Sequence, residues 1–503
     1  MSLQPKLAIT LLLLGSLGCN LPRTTYPTQE SVPFQFTLIE TATVTPFLPP
    51  SRAPQDPILS PTPNQIRAVP TIRTEVTYHR VQVNDTLGQI AYAYGISIDA
   101  IIQANNLINP DVLTVGQEIN IPAVQTGNSG PGFKIIPDSE LVNGPANTTF
   151  MIENFVNSLG GYLSTYTEEV DGVLMPGWKI VQRIATFYSV NPRLLLAVLE
   201  YQSGWLTSSN PREDQLLLPI GYIDDYRTGL YRQLSWAANS LNMGYYLWRI
   251  NAVGVWRTAD GVLVPINPGI NAGTAGLQQF FAQISNEARW RNSVSENGFF
   301  QTYNSLFGYP FDWAIEPLIP ADLIQPTFQL PFENGVSWVF TGGPHDGWDL
   351  GSAWAALDFA PSSEQEGCAL KDEWVVAVTD GLIVMSENGA VFQDLDGDGA
   401  EQTGWTVFYM HLDTRDRVAA GQFVKAGDRL GHPSCEGGFS TGSHLHIARK
   451  YNGEWISADG SLPFVMEGWT VVGDGVRYGG ALVRADQRVE PCQCREPGHM
   501  VIR

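Results

Sequence analysis

The pattern of apolar and polar residues divides the chain into segments of different character. Residues 140–330 contain apolar runs with helical spacing, such as 193–200 and 230–250. Residues 333–470 instead contain short stretches rich in β-branched and aromatic residues, of which Trp374-Val-Val-Ala-Val378 is one. These patterns predict a multidomain protein in which a mainly α-helical middle domain precedes a mainly antiparallel β domain.

A smaller unit with its own pattern lies ahead of the helical domain, at residues 77–123. Tyr78-His-Arg-Val-Gln-Val83 alternates like a strand, and Asp85-Thr86 can cap a short helix. A second short helix is expected at 98–104, and Glu118-Ile-Asn-Ile-Pro122 predicts a closing strand. The pattern therefore predicts a small βααβ module.

This module resembles a LysM domain. The resemblance is carried by the Asp-Thr-Leu sequence that starts at Asp85, by Asn105-Asn-Leu, and by Val115-Gly-Gln followed by Ile121-Pro. It covers the whole unit and implies binding to a polymer that contains N-acetylglucosamine, meaning peptidoglycan or chitin. The alternative is a small βααβ domain without a glycan ligand.

The first nineteen residues have the pattern of a secretory signal. Lys6 precedes a short apolar run, and small residues then lead to Gly18-Cys19. This end resembles a bacterial lipoprotein signal, in which the cysteine becomes the acylated N-terminus, although Ser16 stands where that family usually has leucine. We expect an extracytoplasmic, wall-associated protein, anchored to the membrane by lipid on Cys19 or secreted. The alternative is an ordinary signal peptide with a chance cysteine.

Residues 20–76 are rich in Pro, Thr and Ser and lack apolar periodicity, which predicts a disordered tether. The chain of 503 residues has a formal net charge of −21, which argues against nucleic acid as a partner. After the signal, the sequence contains no further run of about twenty apolar residues that would predict a membrane span.

The cysteine count agrees with an oxidising compartment. Cysteines occur at positions 19, 368, 435, 492 and 494. Setting aside Cys19 leaves an even number, which suits disulfides. Cys368 and Cys435 lie in the β domain and are expected to pair. Cys492 and Cys494 are separated by one residue and lie in a C-terminal tail that is predicted for 471–503. Spacing alone leaves the connectivity open.

The run from Tyr188 to Trp205 in the helical domain resembles the catalytic-glutamate helix of lysozyme-like lytic transglycosylases. That family has glutamate immediately before Ser-Gly, where this chain has Gln202, and an amide cannot protonate a glycosidic oxygen. Gly276-Leu-Gln-Gln279 is faintly similar to a second segment of the family. We expect a degenerate lysozyme-like domain that holds glycan without cutting it. The alternatives are a helical spacer and an active glycosidase that uses Glu200.

The histidines cluster in the β domain. Five of the seven lie between residues 345 and 446. His444 and His446 are two apart on a predicted strand and therefore project from the same face, where two imidazoles can share a metal site. Such a pair alone is a weak signal, because histidines at this spacing are common.

The order of the chemistry-bearing residues strengthens that signal. That order is His345, Asp358, His411, His444 and His446. It resembles the order in the lysostaphin-like and β-lytic zinc metalloendopeptidases, and the resemblance covers about residues 333–460. The resemblance implies zinc held by His345, Asp358 and His446, with the fourth position open as in catalytic sites. It also implies that His411 and His444 exchange protons with the substrate and stabilise the oxyanion.

Two aspartates compete for the carboxylate position. Many members of these families have the spacing His-x-x-x-Asp, which Asp349 satisfies from His345. The β-lytic branch has twelve residues between the two ligands, which Asp358 satisfies. We favour Asp358 because of its Leu-Asp-Phe-Ala-Pro context, and Asp349 is the alternative.

These observations predict a zinc metalloendopeptidase that hydrolyses peptide bonds in peptidoglycan cross-links and is targeted to the wall by its LysM module. The alternative is a catalytically inactive, peptidoglycan-binding regulator or scaffold of cell-wall hydrolysis. No residue of the implied zinc site is missing from the sequence, which favours the enzyme.

Overall fold

The computed structural model describes most of the chain after residue 46. The described residues are 47–51, 61–70, 73, 75–82, 85–94, 96, 98–110, 112–123, 126–363 and 367–503. The predicted signal and Cys19 lie outside them. Among the described helices, none is both long enough and apolar enough to span a bilayer.

The N-terminal module has the predicted element order. It consists of β1 (Thr77–Arg80), α1 (Leu87–Tyr94), α2 (Ile98–Asn105) and β2 (Glu118–Ile121). The two strands pair antiparallel with Tyr78 opposite Asn120. The Asn105 side chain bonds to both the N–H and the C=O of Asn120, each at 2.7 Å, and so joins α2 to the sheet. Ile101, Ile119 and Ile121 are fully buried between these elements.

The middle domain is mainly helical, with two short hairpins. Its elements are α3 (Ile152–Leu159), β3 (Thr167–Val170), β4 (Val173–Pro176), α4 (Gly177–Tyr188), α5 (Pro192–Ser203), α6 (Glu213–Leu217), α7 (Leu230–Arg249), β5 (Val255–Arg257), β6 (Leu263–Pro265), α8 (Ala272–Ile284), α9 (Glu287–Ser293) and α10 (Phe299–Phe307). Helix α5 begins as its sequence predicts, since the Asn191 side chain accepts a hydrogen bond from Arg193 N at 2.8 Å and Pro192 occupies the first turn.

A buried ion pair lies at the start of α5. Glu140 and Arg193 are 0% and 1% exposed, and their side chains approach to 2.6 Å. The carboxylate also accepts hydrogen bonds from the Asn191 amide and the Tyr303 hydroxyl. Asn191 and Arg193 lie at the start of α5 and Tyr303 lies in α10, so Glu140 joins these two helices.

We expect Glu140→Gln to lower the free energy of unfolding of the helical domain by about 3–5 kcal/mol, because removing one charge leaves the Arg193 guanidinium buried and unpaired. Urea unfolding measures this loss. Glu296→Gln removes an exposed carboxylate from the same domain and serves as the control, with an expected change within about 0.5 kcal/mol. Equal stability of the two variants would contradict the expectation.

The β domain is built on one large antiparallel sheet. Its strands are β7 (Ser337–His345), β8 (Ala356–Pro361), β9 (Val375–Val376), β10 (Gly381–Glu387), β11 (Ala390–Asp394), β12 (Trp405–Met410), β13 (Phe423–Val424), β14 (Arg429–Gly431), β15 (Leu445–Tyr451), β16 (Glu454–Trp455), β17 (Val465–Met466), β18 (Trp469–Val472), β19 (Ala481–Arg484), β20 (Gln487–Val489) and β21 (Met500–Ile502). The main sheet has the order β13-β10-β11-β12-β15-β8-β7-β21, with β16 beside β15. Strands β17 to β20 form a separate four-stranded sheet.

The two faces of the main sheet pack against different partners. On β12, Val407 and Tyr409 belong to the β domain's own core, whereas Phe408 and Met410 belong to the core of the helical domain. This alternation is the period of two that a strand imposes. Trp348, on the loop after β7, stacks on Phe187 of α4 with ring centroids 4.6 Å apart. The helical domain therefore covers one face of the main sheet.

The segment predicted as a C-terminal tail, 471–503, is instead folded into the β domain. Val471, Leu482 and Val501 are buried in the same core as the main sheet. Strand β21 pairs with β7 at the sheet edge, with Val501 opposite Trp338. The sequence pattern predicts a tail because the apolar residues of segment 471–503 are few and widely spaced.

Part of the predicted tether lies against the helical domain. Residues 61–70 have no regular secondary structure, but Asn64 N donates to Gly269 O at 2.9 Å. The guanidinium of Arg67 lies 4.7 Å from the Trp248 ring centroid. Residues 61–70 are therefore held against the helical domain, although their composition predicts a disordered segment.

The disulfide expected in the β domain is present. Cys368, which follows β8, is joined to Cys435, which precedes β15, and the two cysteines are 67 positions apart in the sequence. Cys492 is joined to Cys494.

Candidate metal centre

Strand pairing brings the histidines and aspartate of the β domain together. Asp358 on β8 lies directly opposite His446 on β15, and Met410 at the end of β12 lies opposite His446 on its other side. Directly paired residues project from the same face of a sheet. His345 ends β7, which pairs with β8, and His411 follows β12. The site residues therefore lie on or next to four neighbouring strands, β12, β15, β8 and β7, at one end of one face of the main sheet.

Two consecutive glycines make this approach possible. Gly342 lies opposite Asp358 on β7, where a Cβ atom would come within 2.7 Å of Asp358 Oδ2. At Gly343 a Cβ would lie 1.6 Å from the carbonyl oxygen of Gly479. Larger residues would push the β7 strand away from the site, so Gly342 and Gly343 fix the position of His345.

Three candidate ligand atoms converge. His345 Nε2, His446 Nδ1 and a carboxylate oxygen of Asp358 lie within 4.8 Å of one another. Asp358 Oδ1 is 3.2 Å from each of the two nitrogens, which are themselves 2.9 Å apart. Asp358 Oδ1 is buried and has no hydrogen-bond partner. These distances are close enough for one cation to contact all three atoms.

The outer nitrogens of the two histidines fix which atoms face inward. His345 Nδ1 lies 2.8 Å from the carbonyl oxygen of Gly343, and His446 Nε2 lies 3.1 Å from that of Gly347. A carbonyl oxygen accepts only, so each of these outer nitrogens carries the proton. In the neutral rings, His345 Nε2 and His446 Nδ1 then present lone pairs. His345 Nε2, His446 Nδ1 and Asp358 Oδ1 are then three lone-pair atoms with no hydrogen atom between them. Such a set can bind a cation.

The charges around Asp358 favour its ionised form. Burial alone would raise the pKa of Asp358, but the electrostatic effect of the neighbouring His345 and His444 holds that pKa well below its ordinary value. Burial lowers the pKa of His446. Burial also lowers the pKa of His345, but the carboxylate of Asp358 raises it above its ordinary value, so a bound cation would compete with a proton at this ring.

His411 and His444 form a second pair next to the first. Their ring centroids are 4.5 Å apart, and His444 Nε2 lies 3.7 Å from Asp358 Oδ1. Each has its Nδ1 2.8 Å from a carbonyl oxygen, that of Glu436 for His411 and that of Gly442 for His444. Both rings are thereby held in the tautomer that leaves Nε2 as a lone pair. Burial, followed by the nearby His444 and His446, lowers the pKa of His411 to about 3, so this ring is neutral near pH 7.

Two other residues considered from the sequence lie elsewhere. Asp349 does not join the three-atom cluster, because its carboxylate accepts a hydrogen bond from the Tyr188 hydroxyl of α4 at 3.1 Å. His432 lies with its ring 3.9 Å from that of Trp374 and with Nδ1 3.0 Å from the carbonyl oxygen of Glu373.

The structure adds one neighbour that sequence reasoning missed. Tyr478 stacks on the His345 ring with centroids 4.3 Å apart and bonds to the β7 strand, since Tyr478 N donates to Pro344 O at 3.0 Å. It lies between β18 and β19, in the segment predicted as a tail. Its only signal in the sequence is a run of glycines around it, which indicates a close approach of backbones.

The region of the helical domain that resembles lytic transglycosylases has no free carboxylate. Glu200 accepts hydrogen bonds from the N–H groups of Leu206 and Thr207, at 2.9 and 3.3 Å. The Gln202 side chain accepts one from Arg289 at 3.1 Å. Glu200 thus orders the loop that follows α5.

Three segments of the chain match known protein families. Residues 79–122 match the LysM domain, residues 134–320 match the LasA N-terminal domain, and residues 364–458 match peptidase family M23. The chain carries a LysM domain and an M23 peptidase domain. The M23 match contains His411, His444 and His446, whereas His345 and Asp358 precede its first residue. The middle domain matches the LasA N-terminal domain rather than a lysozyme-like family, so the resemblance to lytic transglycosylases stays a prediction.

Two curated relatives that the chain matches are named as proteases. Protease LasA of Pseudomonas aeruginosa is 28% identical over 292 residues, which cover 55% of this chain and 66% of LasA, just under two thirds of its length. A β-lytic metalloendopeptidase of Lysobacter enzymogenes is 27% identical over 156 residues, which cover 30% of this chain and 82% of the relative. Among solved structures, the M23 metalloprotease pseudoalterin matches 33% of this chain and 96% of its own, with 23% identity and a TM-score of 0.28.

Proposed function

We propose that this protein is a zinc endopeptidase that hydrolyses peptide bonds in peptidoglycan cross-links. The observation that carries the proposal is the convergence of His345 Nε2, His446 Nδ1 and Asp358 Oδ1, with each histidine locked by a backbone carbonyl. The M23 domain and its protease relatives support the reaction class.

The donor set fits zinc. Two imidazole nitrogens and one carboxylate oxygen are ligands that catalytic zinc takes, with a further position left for water or substrate. When bound, zinc polarises the scissile carbonyl and makes water acidic enough to act as a nucleophile near pH 7.

His411 and His444 supply the proton chemistry. In each ring Nε2 is left with a lone pair, because Nδ1–H donates to a carbonyl oxygen. Neutral His411 accepts a proton at Nε2 from the attacking water and returns it to the leaving amine. His444 would take a proton at Nε2 from solvent and with it donate a hydrogen bond to the oxyanion that develops on the substrate.

The other domains place the peptidase on its substrate. The LysM domain supports binding to the N-acetylglucosamine-containing strands of the wall. The predicted lipid on Cys19 would hold the protein at the membrane outside the cytoplasm, with the tether giving it reach. Binding the wall at one site raises the effective concentration of cross-links at the other.

Metal removal tests the proposal. We expect the purified protein to contain one zinc per chain by elemental analysis and to release fragments from peptidoglycan. A strong chelator should abolish the release, and one equivalent of zinc should restore it, because three protein ligands hold the ion. Wall binding without chelator-sensitive release would favour an inactive regulator or scaffold instead.

A further inference from the structure

The helical domain contains a cavity of about 780 Å³ that no feature of the metal centre explains. Its walls come from helix α7, the preceding segment 222–227, strand β5 and the loop between β7 and β8. The five histidine and aspartate residues of the metal centre lie outside its lining. The volume lies in the range of about 300–1,000 Å³ that is typical of ligand-binding clefts.

One wall of this cavity is aromatic. Tyr222 and Trp236 stack with ring centroids 3.8 Å apart and planes 11° from parallel. Tyr226 stands near them with 85% of its surface exposed. Flat aromatic faces bind the C–H face of sugar rings, while the hydroxyls at their edges hydrogen-bond to the sugar. An exposed tyrosine beside a stacked pair therefore suits a saccharide better than a purely apolar ligand.

The polar part of the lining is positively charged. It contains Arg227, Arg232 and Arg257 but a single carboxylate, Asp349, whereas the whole chain carries a net charge of −21. Arg227 already lies 3.9 Å from the Asp224 carboxylate. Arg257 is exposed on β5, and among the described residues it forms no ion pair with a carboxylate. Guanidinium groups bind carboxylates through paired hydrogen bonds, so the ligand is expected to carry a carboxylate.

The cavity and the metal centre share one loop. Leu350 lines the cavity, and three residues earlier the Gly347 carbonyl holds His446 of the metal centre. Gly351 N donates to the Asn239 side chain of α7 at 2.6 Å, which fixes this loop to the cavity wall. This one loop therefore connects the cavity wall to the carbonyl group that orients His446.

We propose that this cavity is a second substrate-binding site, which takes the junction of sugar and stem peptide in peptidoglycan. The sugar ring lies against Tyr226 and the Tyr222–Trp236 pair, and a stem carboxylate binds the arginines. The inference rests on the proposed function for the identity of the polymer. It gives the helical domain a role in positioning the strand whose cross-link enters the metal centre.

Hydrogen–deuterium exchange of the full chain locates the ligand. The probe is the disaccharide tetrapeptide of peptidoglycan, and the neutral control is chitotetraose. The probe contains no cross-link, so the readout does not depend on cleavage. We expect the probe to protect peptides from 222–236 and 349–351, and chitotetraose to protect only the LysM domain. No protection of 222–236, or equal protection by chitotetraose, would overturn the proposal.

A pair of exposed arginines on the helical domain tests the role of charge. In a titration followed by exchange of the 222–236 peptides, Arg257→Ala should weaken binding of the disaccharide tetrapeptide about tenfold or more, because it removes a charge-assisted contact. Arg212→Ala, which removes an exposed arginine paired with Asp214, should leave the affinity unchanged. Equal affinity of the two variants would exclude carboxylate recognition by Arg257, whether or not the protein cleaves peptidoglycan.

Discussion

Asp358→Asn is expected to lower the zinc affinity of the full-length protein by at least about 100-fold and to abolish cleavage of peptidoglycan. Asparagine keeps the size of the side chain but removes the charge that the two histidines stabilise at Oδ1. Even the outer partners of metal ligands contribute about 10–100-fold to affinity, so a ligand is expected to contribute at least as much. Competition with a fluorescent chelator measures the affinity, and release of soluble fragments measures the activity.

Asp349→Asn is the matched comparison. Asp349 satisfies the shorter His-x-x-x-Asp spacing, but its carboxylate bonds to Tyr188 and lies outside the cluster. This variant should therefore retain zinc with the affinity of the parent protein. If Asp349→Asn lost zinc while Asp358→Asn kept it, the assignment of the carboxylate ligand would have to be reversed.

His411→Ala should lower kcat by about 10²–10⁴-fold while zinc content stays at one per chain. His411 is placed beside the ligands but contributes no atom to the three-atom cluster, so its loss removes proton transfer and leaves the ligand set intact. Steady-state kinetics on a soluble cross-linked peptide gives kcat, and elemental analysis gives zinc.

His432→Gln provides the control for this experiment. His432 is as buried as His411, with 4% and 6% exposed respectively, but it packs on Trp374 away from the ligands. We expect it to keep the parent kcat. A His411→Ala variant that cleaves at the parent rate would exclude the proton-transfer role, and one that loses its zinc would contradict the place of His411 outside the ligand set.

The sequence predicts the elements of this fold best where local patterns are strong. Alternating residues on β12 and β15 place His446 on a defined face, and the Asn191-Pro192 cap places the start of α5. The spacing of His345 and Asp358 allowed two choices of aspartate. Only the pairing of β7 with β8 shows which carboxylate faces the histidines, because pairing is set by contacts between residues distant in sequence.

Other features depend on contacts that no local pattern contains. Tyr478 reaches His345 because β18 to β21 return to the main sheet, although their few apolar residues resemble a tail. The carbonyl groups of Gly343 and Gly347, which orient His345 and His446, could not be predicted either, because every residue has a carbonyl group. The cavity wall joins Asn239 of α7 to the loop at Gly351, and that contact follows from docking of two domains rather than from either sequence segment.

Mass spectrometry of the fragments released from purified peptidoglycan tests the central claim most directly. We expect fragments with new amino and carboxyl termini within the peptide cross-links and with intact glycan chains. We expect Asp358→Asn to release none. New reducing sugar ends with intact peptides, or identical release by the parent protein and Asp358→Asn, would contradict it.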